Sequence, residues 1–189
     1  MNEKIIVGID EAGRGPLAGR VYAACVVLDK NNKISGLNDS KKLSENRRNI
    51  LYKEIKEKAA GYGIAYAESD EIDKLNILQA TFLAMRRSIE NLKVKFDFVL
   101  IDGNIFPFKN EFNGEAIVKG DSKIEEIMAA SILAKVERDL YMYDMAKLYP
   151  QYFFEKHKGY PTKLHSEMIE KHGVLPIHRK TFSKVKEFV

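Results

Sequence analysis

The chain has 189 residues and a formal net charge of +4, and this length suits one sizeable domain. Its single cysteine, Cys25, excludes a disulfide framework within the chain, and no secretory signal opens the sequence. The longest apolar run, Val21–Leu28, is too short to cross a bilayer. We therefore expect a soluble, cytoplasmic protein that makes no contact with membranes.

The first predicted element is a strand over Lys4–Asp10, rich in β-branched residues, that runs directly into two neighbouring carboxylates. Placing Asp10 and Glu11 together at the end of a buried strand is costly, because both side chains lose water and repel each other. A divalent cation is the simplest partner for such a pair. The alternative is that Asp10 starts an ordinary turn and Glu11 is solvated.

A Gly-Arg-Gly turn and a lysine pair follow, and each suits a polyanionic ligand. Gly13 and Gly15 let the backbone approach a ligand such as a sugar hydroxyl, while Arg14 can meet a phosphate. Lys41 and Lys42 stand before a predicted helix N-terminus, where phosphates bind favourably. Taken alone, the turn is equally compatible with a solvated arginine, and lysine pairs before helices are common.

Beyond the first strand, strand and helix patterns alternate along the chain. Strands are predicted over Arg20–Leu28, Gly63–Glu68, Phe96–Ile101 and Ala116–Val118, and helices over Ser44–Lys58 (with Ser44 as N-cap), Ile72–Leu92, Ser122–Leu148, Thr162–His172 and Thr181–Phe188. This alternation is typical of an α/β domain. Because a short glycine-rich link joins the first two strands, we expect them to pair as a hairpin in a mixed sheet.

Three of these helices carry apolar residues at three- and four-residue steps, which predicts one buried face for each. The predicted buried residues are Ile50, Leu51 and Ile55 in the first helix, Leu75, Leu78, Phe82, Met85 and Ile89 in the second, and Ile127, Met128, Ile132, Val136 and Leu140 in the third. Ser122 and Glu125 fit a capping box at the start of the third helix.

Two more acids follow strand-like runs. Asp102 ends the most apolar run of the middle region, and Asp121 follows the fifth strand. Strand ends at one edge of an α/β sheet bring distant residues together, and ligands collect there. We therefore predict that Asp10, Glu11, Asp102 and Asp121 form one cluster that holds a pair of Mg²⁺ or Mn²⁺ ions for attack on a phosphate ester. The alternatives are a simple turn at Asp102 and a helix N-cap at Asp121.

The C-terminal region carries the positive charge of the chain, since residues 151–189 hold eight basic and four acidic side chains. A basic face beside an acidic site suggests a phosphate-rich ligand, although a solvated helix surface would have the same composition. Within this region, Tyr160 could stack on a sugar or a base, or pack under the C-terminal helices. His165 and His172 lack a third metal ligand and are interpreted as ordinary histidines.

Five segments of the chain resemble the bacterial ribonuclease HII family. They are GIDEAGRGPLAG (8–19), LNDSKKL (37–43), IDGN (101–104), GDSK with AASILAKVERD (120–139) and HKGYPT (157–162). The resemblance implies a ribonuclease H-like fold, in which a mixed five-stranded sheet is flanked by helices. It also implies a catalytic domain over residues 1–150, with a helical C-terminal extension over residues 151–189 packed on it.

The resemblance implies an endonuclease that cuts the RNA strand of RNA–DNA hybrids and cuts 5′ to single ribonucleotides in duplex DNA, leaving 3′-hydroxyl and 5′-phosphate ends. The four acids occupy the family's catalytic, metal-binding positions. Gly13, Arg14 and Gly15 correspond to its reader of the ribose 2′-hydroxyl, and Tyr160 corresponds to its junction-sensing tyrosine. Such an enzyme takes part in ribonucleotide excision during DNA replication and repair. We expect a monomer that lacks the N-terminal substrate-binding domain of ribonuclease HIII.

Two other functions are compatible with the residues themselves. A DNA nuclease or strand transferase on the same fold would keep the acids, but it would have no use for a 2′-hydroxyl reader. A non-catalytic nucleic-acid-binding module would not need four converging acids. Activity on all-DNA and ribonucleotide-containing duplexes distinguishes the ribonuclease from the DNA nuclease or strand transferase, and metal-independent binding without turnover would support the binding module.

Overall fold

A mixed β-sheet of five strands forms the centre of the structure, a computed structural model that describes residues 4–189. The strands are β1 (Ile6–Ala12), β2 (Val21–Val27), β3 (Gly61–Ala67), β4 (Phe98–Asp102) and β5 (Gly114–Ile117), in the spatial order β3-β2-β1-β4-β5. β2 pairs antiparallel with β1 and β3, whereas β4 runs parallel to β1 and β5. The predicted hairpin and the predicted mixed sheet are therefore confirmed.

Helices cover both faces of the sheet. They are α1 (Glu45–Lys58), α2 (Ser69–Leu75), α3 (Ile77–Asn91), α4 (Glu125–Leu148), α5 (Phe154–His157), α6 (Lys163–His172) and α7 (Ser183–Lys186). α4 and α1 pack on one face, and α3 packs on the other. Gly8 allows the close approach of α4 to β1, because a Cβ atom there would lie 2.4 Å from the backbone of Glu126. None of the helices in the described part of the chain has the length and apolarity needed to cross a membrane.

A third apolar cluster joins the C-terminal region to the end of α4. Its buried members are Leu17, Ala18, Met142, Tyr152, Phe154, Ile169 and Val185. α6 begins as predicted after Thr162, whose hydroxyl accepts a hydrogen bond from the His165 N–H at 3.2 Å. The short helix α5 was not predicted, and the last helix is only Ser183–Lys186 instead of Thr181–Phe188.

The single helix predicted over Ile72–Leu92 is wrong, because two helices meet at Asn76. Asn76 has a φ of 69°, and its side-chain oxygen accepts hydrogen bonds from the N–H groups of Leu78 (3.0 Å) and Gln79 (3.1 Å). Asparagine tolerates this left-handed backbone and caps helices well, so it ends α2 and starts α3. Leu75, predicted to be buried in a continuous helix, closes α2 and is 42% exposed.

The capping box predicted at Ser122 and Glu125 is also wrong. A 3₁₀ turn covers Gly120–Ser122, and α4 begins after Ile124, which makes no side-chain cap. The Ser122 hydroxyl instead donates a hydrogen bond to the Lys119 carbonyl oxygen at 3.0 Å. The hydroxyl is therefore used inside the preceding turn and is not available to the helix N-terminus.

Two further residues predicted to be buried face solvent. Ile50 in α1 is 47% exposed, because Leu51 and Ile55 alone form the buried face of that helix. Leu140 in α4 is 49% exposed. The 24 residues of α4 extend well beyond the seven-residue strands it covers, so its second half packs Met142 into the third cluster instead.

Candidate active site

The register of the sheet explains how two acids far apart in sequence become neighbours. β1 and β4 run parallel, and Ile9 pairs with Ile101. Asp10 and Asp102 each follow one of these paired residues, so their side chains leave the same edge of the sheet on the same face. Asp102 is the last residue of β4, as predicted, whereas Asp10 lies inside β1, which continues to Ala12 by pairing with β2.

Asp121 joins the two strand acids from the turn that precedes α4. Asp102 Oδ1 accepts hydrogen bonds from the backbone N–H groups of Gly120 (2.7 Å) and Asp121 (3.4 Å), which ties this turn to the end of β4. One carboxylate oxygen from each of Asp10, Asp102 and Asp121 lies within 4.8 Å of the other two. Asp121 thus belongs to an acidic cluster and is not the N-cap of α4.

Burial and mutual repulsion disfavour the ionised form of these carboxylates. Burial, followed by the charges of Glu11 and Asp102, raises the pKa of Asp10 well above its usual value. Burial and the charge of Asp102 also raise the pKa of Asp121. Carboxyl groups with raised pKa values that converge on one point are typical of functional sites.

The cluster fits a divalent cation. Its ligand atoms are carboxylate oxygens, which Mg²⁺ and Mn²⁺ prefer, and their spacing lets them share an ion. Within residues 4–189, the one cation in ion-pair contact with these three acids is Lys41, whose Nζ lies 3.7 Å from Asp121 Oδ2. The Lys41 side chain is 78% exposed, so no buried counter-charge pairs with the buried Asp10 in the described part of the chain. A bound divalent cation would supply that charge.

Glu11 lies next to the cluster but outside this set of three. Alternation along β1 directs its side chain to the face opposite Asp10, where Glu11 Oε1 lies 3.5 Å from Arg14 Nη1. Burial raises the pKa of Glu11, while the charge of Arg14 lowers it. The role of Glu11 as a metal ligand stays a prediction.

The Gly-Arg-Gly turn follows these acids, and its backbone is held from the protein interior. Gly13 has a φ of 99°, and a Cβ atom there would lie 2.2 Å from Arg138 Nε, so the position requires glycine. The buried Arg179 guanidinium donates hydrogen bonds to the carbonyl oxygens of Gly13 (2.6 Å), Arg14 (2.9 Å) and Pro16 (2.8 Å). The turn is therefore fixed, while the Arg14 side chain stays exposed.

Tyr160 lies beside this turn. Tyr160 is 40% exposed, and a Cβ atom added to Gly15 would lie 3.8 Å from Tyr160 Cε1. The Arg138 guanidinium carbon lies 5.4 Å from the centre of the tyrosine ring. The Leu17 N–H donates a hydrogen bond to the Gly159 carbonyl oxygen at 2.8 Å, which joins the two segments. The turn and Tyr160 therefore form one continuous surface next to the acids.

Comparison with known proteins identifies the family. The sequence model described as Ribonuclease HII matches residues 7–185. The chain belongs to the ribonuclease HII family. A protein from Marinomonas sp. (strain MWYL1) named Ribonuclease HII is 55% identical to it over 185 residues, which cover 98% of this chain and 93% of that protein.

Solved structures agree with this ribonuclease HII assignment. The ribonuclease H2 from Pyrococcus horikoshii OT3 matches with a TM-score of 0.79 and 27% identity, covering 97% of this chain and 96% of that one. Bst-RNase HIII in complex with Mn²⁺ has the same fold, with a TM-score of 0.73 and 15% identity over 97% of this chain and 68% of that one. The predicted ribonuclease H-like fold is confirmed.

The two lysines predicted to contact phosphate lie on an exposed segment before α1 of this ribonuclease HII chain. Burial acts against the charged form of Lys41, but the charges of Asp10 and Asp121 raise its pKa. Asp39 Oδ1 accepts a hydrogen bond from the Lys41 N–H at 2.9 Å and so orders the segment. Lys42 is exposed beside it.

Sequence reasoning missed the burial of two arginines, Arg138 and Arg179, and the support that they give to the turn. Arg179 was counted in the basic C-terminal face, but it is fully buried, so that face lacks its charge. Arg138 is also fully buried, and its Nη2 donates a hydrogen bond to the Lys158 carbonyl oxygen at 2.7 Å. Its Nε and Nη1 have no hydrogen-bond partner among the described residues. No pattern in one sequence separates such arginines from surface ones, because both occur in polar stretches.

Proposed function

We propose that this chain is an endoribonuclease that cleaves the RNA strand of RNA–DNA hybrids and also cuts duplex DNA 5′ to a single ribonucleotide. The observation that carries the proposal is the convergence of Asp10, Asp102 and Asp121 within 4.8 Å, beside a rigid turn of glycines. Membership in the ribonuclease HII family supports the same activity. Hydrolysis breaks the bond between phosphorus and the 3′-oxygen of the preceding nucleotide. The water oxygen then stays on the 5′-phosphate, and a proton goes to the 3′-hydroxyl.

The acids are proposed to bind Mg²⁺ or Mn²⁺, with Glu11 as the fourth ligand beside Asp10, Asp102 and Asp121. The Mn²⁺ complex of the structurally similar Bst-RNase HIII supports this choice of ions. When bound, such a pair of ions activates water at neutral pH and stabilises the charge that develops on the leaving oxygen. The raised pKa of Asp10 shows that its ionised form is disfavoured by burial and by neighbouring carboxylates, and a bound cation would stabilise that form.

Recognition of the ribonucleotide is proposed to lie in the Gly13–Gly15 turn and in Tyr160. Backbone groups of the turn would hydrogen-bond a 2′-hydroxyl, which is the group that distinguishes RNA from DNA. The three hydrogen bonds from Arg179 to carbonyls of this segment support the proposal, since a fixed backbone discriminates better than a mobile one. Tyr160 would pack on the adjacent sugar, and Lys41 and Lys42 would contact phosphates.

We also propose that the protein works as a cytoplasmic monomer. All of the proposed groups come from one chain, and the buried Cys25 thiol is free, which suits a reducing compartment. The proposed division into a catalytic domain (residues 1–150) and a packed helical extension (residues 151–189) is supported by the third apolar cluster, which links α4 to that extension.

A gel assay tests the function. The substrates are a labelled DNA duplex with one ribonucleotide, a long RNA–DNA hybrid and an all-DNA duplex, each with Mg²⁺ or with EDTA. We expect cleavage of the first two only, and no cleavage in EDTA. Cleavage of the all-DNA duplex would instead indicate a DNA nuclease, and binding without turnover would indicate a binding module.

The same assay tests the substrate-binding residues. Tyr160→Ala should lose the most activity on the duplex with one ribonucleotide, where a single sugar carries the recognition. An equal loss on the single-ribonucleotide duplex and the long hybrid would mean that Tyr160 has a packing role only.

A further inference from the structure

Three buried histidines lie behind Tyr160, and neither the acids nor the turn uses them. The rings of His157 and His165 stack with their centres 4.5 Å apart. His165 Nε2 lies 3.1 Å from His178 Nε2. His165 Nδ1 lies 3.1 Å from the Tyr160 carbonyl oxygen. The cluster therefore reaches the backbone of the residue that is proposed to read the substrate.

The hydrogen-bond partners fix the tautomer of His178 and His165. The Leu175 N–H donates to His178 Nδ1 at 2.8 Å, so that nitrogen is an acceptor and carries no proton. A neutral His178 then carries its proton on Nε2 and donates it to His165 Nε2. His165 must carry its own proton on Nδ1, where it donates to the Tyr160 carbonyl oxygen. Every contact along this path pairs one donor with one acceptor.

The third ring follows the same rule. The Gly159 N–H donates to His157 Nδ1 at 3.1 Å, so Nε2 carries the proton and donates it to the Tyr152 carbonyl oxygen at 2.9 Å. The backbone carbonyl of His157 in turn accepts a hydrogen bond from the Tyr160 N–H at 2.8 Å. Both backbone polar groups of Tyr160 are thus held by members of the histidine cluster.

An extra proton on His165 or His178 would break this path, because two N–H donors would then face each other. Burial and the neighbouring His157 lower the pKa of His165 to about 4, and burial and His165 lower the pKa of His178 to about 3. The surroundings favour the neutral forms as well, since the apolar rings of Tyr152 and Phe154 pack against the cluster.

The segment that carries Tyr160 needs such support. Lys158 and Gly159, which precede it, both have left-handed backbone, with φ values of 49° and 78°. A non-glycine residue in this region is strained and persists only where surrounding contacts determine it. The histidine hydrogen bonds and the Arg138 bond to the Lys158 carbonyl supply those contacts.

We propose that His165 and His178 are positioning residues: as a hydrogen-bonded relay of two neutral imidazoles in a single tautomer, they hold Tyr160 against the Gly-Arg-Gly turn. Two consecutive residues in the C-terminal region support the two proposed substrate contacts, which are Tyr160 and the Gly-Arg-Gly turn. His178 begins the relay to Tyr160, and the next residue, Arg179, holds the carbonyls of the turn. This proposal rests on the proposed function, because positioning Tyr160 affects activity only if Tyr160 contacts the substrate.

The tautomers can be measured on the wild-type protein without any activity assay. Nitrogen-15 NMR of the imidazole rings distinguishes a proton on Nδ1 from one on Nε2. We expect the Nδ1–H form of His165 and the Nε2–H form of His178, both neutral at pH 7, with the exposed His172 as the internal reference. An Nε2–H form or a charged ring at His165 would overturn the relay.

A double-mutant cycle tests the coupling to Tyr160. His165→Leu removes the side-chain donor to the Tyr160 carbonyl oxygen at similar volume and leaves the Thr162 N–H, which donates to the same oxygen at 2.8 Å. His165→Asn keeps a side-chain N–H near the Nδ1 position. We expect His165→Leu to reduce kcat/KM roughly tenfold on the single-ribonucleotide duplex and less on the long hybrid, with a smaller loss for His165→Asn. In the Tyr160→Ala background the same leucine change should have an effect of less than about twofold, because the residue it positions is gone. His172→Leu on the same helix is the matched control.

The outcomes separate the relay from the enzyme. A wild-type protein that cleaves neither substrate refutes the proposed function. If the wild-type protein cleaves both substrates, but the reductions in kcat/KM caused by Tyr160→Ala and His165→Leu simply multiply in the double mutant, the proposed function stands and the relay is refuted. If His165→Leu does not fold, the tautomer measurement decides the proposal by itself.

Discussion

Replacing Asp10 with asparagine should make the metal-free protein more stable and inactive. Asn is nearly isosteric, and its side-chain oxygen can still accept the hydrogen bond that the Glu11 N–H donates to Asp10 Oδ1 at 2.7 Å. What changes is the charge of a side chain that is only 4% exposed and shares a 4.8 Å cluster with Asp102 and Asp121. Two unit charges at that separation repel each other by about 3.5 kcal/mol at an effective dielectric of 20.

Protonation and the nearby Lys41 relieve much of that repulsion in the wild type, so we expect the variant to recover about 1–2 kcal/mol. For a chain of this size that raises Tm by roughly 2–8 °C. The size of this gain in stability depends on pH. Because the folded pKa of Asp10 is raised above 3.8, the native protein holds a proton that the unfolded chain has lost, and wild-type stability falls as pH rises from about 4 toward the folded pKa. The advantage of Asp10→Asn should therefore be absent near pH 3.5 and grow above pH 4.

Thermal unfolding in EDTA between pH 3.5 and 8, followed by circular dichroism, measures this difference. Asp144→Asn, at an exposed acid on α4, is the control and should leave the pH dependence unchanged. Addition of Mg²⁺ should stabilise the wild type and not Asp10→Asn, and only the wild type should cleave the single-ribonucleotide duplex. A variant that is less stable than the wild type in EDTA at pH 8, or one that keeps full activity, would refute the reasoning.

Three further changes test other parts of the account. Arg179→Met should lower the free energy of unfolding in urea by about 3–5 kcal/mol, since it leaves several buried carbonyl oxygens without donors. Arg179→Lys should restore little of this loss because an ammonium lacks the planar fork, and a loss below about 1 kcal/mol for Arg179→Met would contradict the structural role. Lys41→Ala should weaken duplex binding and reduce the steepness of the plot of log K against log salt concentration by about one, the value expected for the loss of one phosphate contact. An unchanged slope would show that Lys41 does not contact a phosphate. His165 and His178 have folded pKa values near 4 and 3, below the usual 6.5, so unfolding free energy should fall by up to about 1.4 kcal/mol per pH unit for each histidine as pH drops from 6.5 toward 4. Urea titrations of Asp10→Asn, in which one of the carboxylates with an opposing pH dependence is removed, measure that decline, and a flat profile would contradict it.

The sequence predicted the strand acids for a reason that the structure bears out. Asp102 is the last residue of β4 and Asp10 lies near the end of β1, and parallel pairing of those strands places both at one edge of the sheet. The role of Asp121 was harder to predict, because a carboxylate before a helix has an ordinary explanation as an N-cap. Only the 3₁₀ turn, tied to Asp102 by two backbone hydrogen bonds, decides in favour of the cluster.

Other features could not be predicted, since they depend on tertiary contacts. Asn76 lies in a continuous apolar pattern, and its role as a helix break appears only in its backbone φ of 69°. Arg179 has the composition of a surface residue, and its burial depends on carbonyls that lie more than 150 residues earlier in the chain. The His165–His178 pair likewise depends on the turn that brings α6 against the residues that follow it.

Calorimetric titration of Mn²⁺ tests the central claim most directly, namely that acids from three separate segments share a divalent cation. We expect saturable binding to the wild type, binding at least roughly tenfold weaker for Asp102→Asn and Asp121→Asn, and unchanged binding for Asp144→Asn. Equal binding by all four proteins, or no binding by the wild type, would contradict it.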